Sequence, residues 1–152
     1  GVFLPQSCRT ARLDMTDRPY SQTLARLREA GLRPTRQRLA LGRLLFDEGD
    51  CHVTAERLHE QAQEVGVSVS LATVYNTLHQ FTEVGLLREV VVDSSRTYFD
   101  TNISDHHHIF HEDDGSLTDI SGQMIDVAGL PDVPEGTELS RVDVVVRVRN
   151  SS

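Results

Sequence analysis

Apolar positions recur at helical spacing over residues 20–85 and pass into short runs and alternation beyond them. Leu24 and Leu27 lie one turn apart in a first helix over 20–30, which Gly31 stops. Pro34-Thr35 opens a second, whose Leu41, Leu44 and Leu45 form a stripe that breaks at Gly49. Thr54 is placed to cap a third helix, with Leu58, Ala62 and Val65 on one face and Gly66 at its end. Ser70 caps a fourth, in which Leu71, Val74, Leu78 and Phe81 mark the buried face and Gly85 the stop. Its other face shows Thr73, Asn76 and Gln80 with Tyr75 beside them. Hydroxyls and amides there suit base edges and phosphates, and a merely solvated face would carry the same groups.

The β-rich runs 86–93 and 97–99 surround Ser94-Ser95-Arg96 and predict a hairpin. Helices followed by a hairpin with an arginine at its tip make a winged helix-turn-helix, whose last helix enters the major groove while the wing touches backbone. Short strands are then predicted at 109–111 and 116–120 around Asp113-Asp114-Gly115, a helix between 123 and 128, and a loop over 130–136. Over 139–149, Val142, Val144, Val146 and Val148 alternate with Arg141, Asp143, Arg147 and Arg149, with Val145 among the latter, as in a half-buried strand. The fold class is therefore α+β: an N-terminal winged helix-turn-helix followed by a small α/β dimerisation domain, whose sheet is expected to pair across a dimer axis. The expected boundaries are 1–19 (a disordered leader), 20–99 and 100–152.

Bulk properties narrow this little. A chain of 152 residues fits one domain or two small ones. With no apolar run of membrane-spanning length and no signal-like start, it is expected to be cytoplasmic with no membrane partner; Met15 is a candidate start, which would make 1–14 a leader. Two cysteines, Cys8 and Cys51, are too few for a disulfide framework or an all-cysteine zinc site, and two reduced thiols are expected. Residues 20–99 hold nine basic against ten acidic side chains, and 100–152 hold three against eleven. That balance neither supports nor excludes DNA binding.

The chemistry concentrates in Asp105-His106-His107-His108, with His111 close behind. Imidazole and carboxylate together suit iron, manganese or zinc. The alternatives are a purification tag, which an internal position between apolar residues argues against, and a solvated polar loop.

Four stretches carry a resemblance: Gly31-Leu32-Arg33-Pro34-Thr35-Arg36-Gln37-Arg38, His52-Val53-Thr54-Ala55-Glu56, Leu71-Ala72-Thr73-Val74-Tyr75-Asn76-Thr77-Leu78, and the histidine run. In order and spacing they resemble the ferric uptake regulator family. The triple histidine, the Tyr98-Phe99-Asp100-Thr101-Asn102 segment and Val144-Val145-Val146-Arg147 look most like its iron response regulator branch. The resemblance implies a homodimeric repressor of iron homeostasis on palindromic AT-rich double-stranded operators. It implies a regulatory metal site of His52, Asp100, His106, His108 and Asp119. A second metal or haem site would draw on Asp105, His107 and Asp126, with Arg141 where a histidine is usual. It implies DNA contacts by Arg33, Thr73, Tyr75, Asn76 and Arg96, and leaves Arg36 and Arg38 between phosphate contacts and solvated charges. His111 and Asp114 stand where a structural zinc would have its first cysteine pair, so that zinc is not expected.

Haem enters through the branch, with a haem-delivering protein as an implied partner, although Cys8 is followed by Arg9 and not by proline. Aspartate at both 100 and 119 resembles the peroxide-sensing branch. The readings of another class are a metalloenzyme, for which no nucleophile–base pair is visible, and a metal-storage module without DNA affinity.

Overall fold

The computed structural model describes residues 21–47 and 49–151, and the expected leader lies outside them. The described chain forms two compact units, the first ending at Ile103 and the second beginning at Ser104. Asp100 thus belongs to the first unit, as the last residue of one of its strands.

That unit carries α1 (Ser21–Glu29), α2 (Arg36–Phe46), α3 (Ala55–Glu64) and α4 (Leu71–Glu83). The last three start where a hydroxyl can cap them: Thr35 accepts from the Arg38 amide, Thr54 from that of Arg57 and Ser70 from that of Thr73. At the end of α1, Gly31 takes φ +78° and its amide reaches the Arg28 carbonyl, a left-handed stop that a side chain would strain. The helical stripes meet in one core of Leu27, Leu41, Leu45, Leu58, Val74, Leu78 and Phe81, with Phe99 from the sheet. Leu24 and Leu71, expected in it, are only partly buried.

The wing is a three-stranded sheet in the order β1-β3-β2, built from β1 (His52–Val53), β2 (Arg88–Asp93) and β3 (Arg96–Asp100). The β2–β3 hairpin follows the sequence, with Arg96 opening β3 instead of closing the turn. β1 has no counterpart in the apolar pattern: two residues between Cys51 and the Thr54 cap are too short to show a period. Cys51 is buried, and Cys8 lies outside the described residues, so the expectation of two reduced thiols is not tested.

The second unit is a sheet ordered β5-β4-β6, with β4 (His106–His111) antiparallel to β5 (Leu117–Ser121) and parallel to β6 (Val145–Val148). The histidine run is itself strand, so β4 starts earlier than the apolar residues alone suggested. Instead of a helix over 123–128 there is one 3-10 turn, Gly122–Met124, after which Ile125 is extended. Six residues bounded by Gly122 and Gly129, with β-branched Ile125 and Val127, give too few hydrogen bonds to offset helix nucleation. The alternating segment forms a strand only at 145–148, and Val146 is exposed. Of this unit's hydrophobic side chains Phe110 and Leu117 are buried, while Met124, Val127, Leu130, Val133 and Leu139 are exposed.

Candidate metal centre and nucleic-acid interface

In the first unit, β1 pairs with β3 so that His52 stands opposite Asp100. Directly opposed residues point to the same face, and the His52 Nε2 lies 3.2 Å from Asp100 Oδ2. Asp100 is wholly buried and His52 nearly so. The other carboxylate oxygen of Asp100 accepts from the Asn102 amide at 2.9 Å. The pairing continues past Asp100, since the Cys51 amide donates to Thr101 Oγ1 at 2.9 Å and the Thr101 amide to the Cys51 carbonyl at 3.1 Å. A short strand that β-propensity could not announce therefore places one imidazole against one carboxylate.

The second unit holds a matching set. Strand alternation puts His106, His108 and Phe110 on the buried face of β4 and His107 on the other. Asp119 lies opposite His108 on β5, its Oδ1 3.5 Å from His106 Nε2 and 3.4 Å from His108 Nε2. The His106 Nδ1 donates to the Ser104 carbonyl at 2.6 Å. A carbonyl can only accept, so in the neutral ring the Nε2 lone pair faces Asp119. His106 Nε2, His108 Nε2 and Asp119 Oδ1 converge on one point, and imidazole nitrogen with carboxylate oxygen fits a divalent transition metal. The Ser104 hydrogen bond is the kind that orients a ligating histidine from behind.

The other expected site residues are not brought together. His107 turns to the opposite face, where its Nδ1 accepts the Val144 amide at 3.2 Å. That bond ties β4 to the segment before β6 and leaves the proton on Nε2. Asp105 and Asp126 are exposed, and among the described residues they form no group of three with His107 around a common point. His111 Nε2 lies 3.4 Å from Thr118 Oγ1. The Asp114 carboxylate accepts from the hydroxyl and amide of Ser116, which hold it below the usual range for an aspartate.

On α4, Val74, Thr77, Leu78 and Phe81 are buried, Thr73 and Tyr75 are half-buried and Asn76 is exposed. Thr73 Oγ1 lies 2.9 Å from Ser70 Oγ, so its hydroxyl belongs to the cap. The Tyr75 hydroxyl donates to Glu56 Oε1 at 2.6 Å. That hydrogen bond, then burial and the negative charge of Glu56, push the phenol above its ordinary value. The Tyr75 ring stacks on His79 at 6.4 Å, and His79 meets Phe99 edge-on at 5.7 Å. Arg33 is exposed in the loop before α2, and Arg96 is exposed at the start of β3. Glu56 and His79 carry no signal in the sequence, because nothing local marks a partner 19 residues away.

Residues 29–146 match the ferric uptake regulator family. The chain belongs to that family. A peroxide-responsive repressor, PerR, of Staphylococcus epidermidis is 32% identical over 117 residues, 77% of each chain. The ferric uptake regulator from Pseudomonas aeruginosa, solved with manganese, matches with a TM-score of 0.64 at 28% identity, covering 85% of this chain and 98% of that one. The Vibrio cholerae regulator has a TM-score of 0.66 at 20% identity, covering 84% and 99%, a likeness of fold alone. A ferric uptake regulator family protein is a regulator and not an enzyme, which removes the metalloenzyme alternative. No helix among the described residues is long and apolar enough to cross a membrane.

Proposed function

We propose that this protein is a cytoplasmic, homodimeric, metal-responsive transcriptional regulator of iron homeostasis that binds palindromic AT-rich operators. His52, Asp100, His106, His108 and Asp119 would together hold one divalent ion, iron by preference, with manganese and zinc as other occupants. The observation that carries the reading is the complementarity of the two donor sets. Each unit presents buried imidazole against carboxylate, and neither alone offers more than three side chains. Bound by both, an ion would fix one relative orientation of the DNA-binding and dimerisation units, a physical route from metal to DNA affinity. On this reading the DNA-binding unit extends past the expected boundary at residue 99 to include Asp100, the last ligand of its set.

DNA contact falls to Tyr75, Thr73 and Asn76 on α4, to Arg96 on the wing, and to Arg33 in the minor groove. The exposed apolar side chains of the second unit support a dimer held by sheet and apolar packing without a cysteine-bound zinc. In a gel-shift or anisotropy assay on an AT-rich inverted repeat, Tyr75→Ala combined with Arg33→Ala should abolish binding; unchanged binding sinks the assignment.

Two finer readings have separate support. The triple histidine without cysteine pairs favours the iron response regulator branch, with haem as effector and a haem-delivering protein as partner. The paired aspartates and the likeness to PerR favour peroxide sensing, for which bound iron supplies the redox chemistry. Haem titration followed by Soret absorbance reads the first; an added oxygen on His52, His106 or His108 after peroxide treatment of the iron-loaded protein reads the second. The trio of Asp105, His107 and Asp126 is retained only as a haem-edge candidate, which the same Soret titration tests.

A further inference from the structure

We propose that Arg38 is a positioning residue, which locks the Arg33 segment to α4 and so sets the spacing between minor-groove and major-groove contacts. This rests on the reading above that Arg33 and α4 touch DNA. Arg38 lies in the first turn of α2, and its side chain runs back over the loop that precedes the helix. Its Nη1 donates to the Arg33 carbonyl at 2.8 Å, while its Nε and Nη2 donate to Gln80 Oε1 at 3.2 and 3.0 Å. Three of the five N–H groups of a planar, always-charged fork are thus directed inward, which a solvated or phosphate-seeking arginine would not require.

The loop is held at its two ends by the helix termini. Gly31 and Leu32 amides close α1 on the Arg28 and Leu27 carbonyls at 3.0 and 2.8 Å, and the Thr35 hydroxyl caps α2. Between those anchors the Arg33 carbonyl has the Arg38 guanidinium as its side-chain donor. Gln80 follows Asn76 by one turn on the same face of α4, so the clamp references Arg33 to the face proposed to read bases. Arg38→Lys would keep the charge and lose the fork; Gln80→Leu would lose the acceptor and change no charge.

The test uses the full-length protein with the fluorescein-labelled AT-rich duplex that the wild type enriches most from a random library, over a range of salt. Arg38→Lys and Gln80→Leu should each weaken binding about tenfold, with the double variant little worse than either single one, because the two act through one hydrogen-bonded pair. The slope of log Kd on log salt should stay at the wild-type value, and discrimination of A·T from G·C at the Arg33 position should narrow. On the free protein, amide exchange over residues 31–35 should quicken in both variants. If Arg38 instead binds a phosphate, Gln80→Leu will be silent and Arg38→Ala will lower the slope by about 0.9 for each phosphate no longer neutralised. That result, or unchanged amide exchange, overturns the proposal. Quickened exchange together with a duplex that ignores Arg33→Ala would uphold the clamp as a structural element and overturn its role in DNA spacing, locating the failure in the assignment of Arg33.

Discussion

Gly42 sits where α2 crosses α1, and a methyl group there has a calculable cost. A Cβ built on Gly42 would lie 2.6 Å from Thr23 Cγ2, about an ångström inside ordinary carbon–carbon contact. Both residues are buried, so the overlap can be relieved only by turning the Thr23 side chain within a filled site or by parting the helices. Replacing a mid-helix glycine by alanine gains about 1 kcal/mol of helix propensity. Overpacking of a filled site costs about 1–3 kcal/mol, and the depth of this overlap puts it in the upper part of that range. The clash wins: Gly42→Ala should destabilise by about 1–2 kcal/mol net.

In a Thr23→Ala background the obstructing methyl is gone, together with a buried hydroxyl that has no hydrogen-bond partner among the described residues. There the same Gly42→Ala should stabilise, by up to about 1 kcal/mol. Urea denaturation of the four proteins gives a coupling energy of about 2–3 kcal/mol. Gly42→Ala that stabilises the wild-type background, or acts equally in both, would refute the packing argument. Since α1 leads directly into the Arg33 loop, the single variant should also weaken operator binding.

Three further outcomes follow from local geometry. The Tyr75 phenol should titrate above its ordinary value, and Glu56→Gln should bring it down, as read from phenolate absorbance with Tyr20 and Tyr98 replaced by phenylalanine; the associated stability is present below the unfolded value and is lost as pH rises through the folded one. Asp114 behaves in the opposite sense: held low by Ser116, it contributes stability above the ordinary aspartate range that disappears as pH falls through its folded value, so Asp114→Asn should flatten the acid limb of a melting-temperature profile. His107→Ala should destabilise the second unit by about 1 kcal/mol through loss of the half-buried bond to the Val144 amide, yet leave manganese affinity within about twofold, since the ring faces away from Asp119.

The four helices were legible because each carries its own information: an apolar stripe, a hydroxyl cap and a glycine stop within a dozen residues. The wing was legible for the same reason, as two β-rich runs around a polar turn. What escaped depends on partners distant in the chain. β1 exists because His52 and Val53 pair with Asp100 and Phe99, and two residues have no period of their own. The ligand roles of His52, Asp100 and Asp119 came from family resemblance; only register places His52 against Asp100 and His108 against Asp119. The valine alternation over 142–148 overstated the last strand, since a pattern records which faces could be buried, not whether this chain alone covers them. Arg38 reads in the sequence as a phosphate contact or a solvated charge, because its partner Gln80 is remote in the chain, and nothing local marks the pairing of Glu56 with Tyr75.

The proposed ion draws on both donor sets and would thereby govern DNA affinity. The most direct measurement is manganese binding to the apo-protein by calorimetry, paired with operator affinity at saturating and zero manganese, for wild type, His52→Ala and Asp119→Ala. One ion should bind per chain at this site, and either variant alone should lower manganese affinity at least about tenfold. The manganese-dependent change in operator affinity should vanish in both. A variant that loses metal while the operator response persists, or two variants that titrate as independent sites, would contradict it.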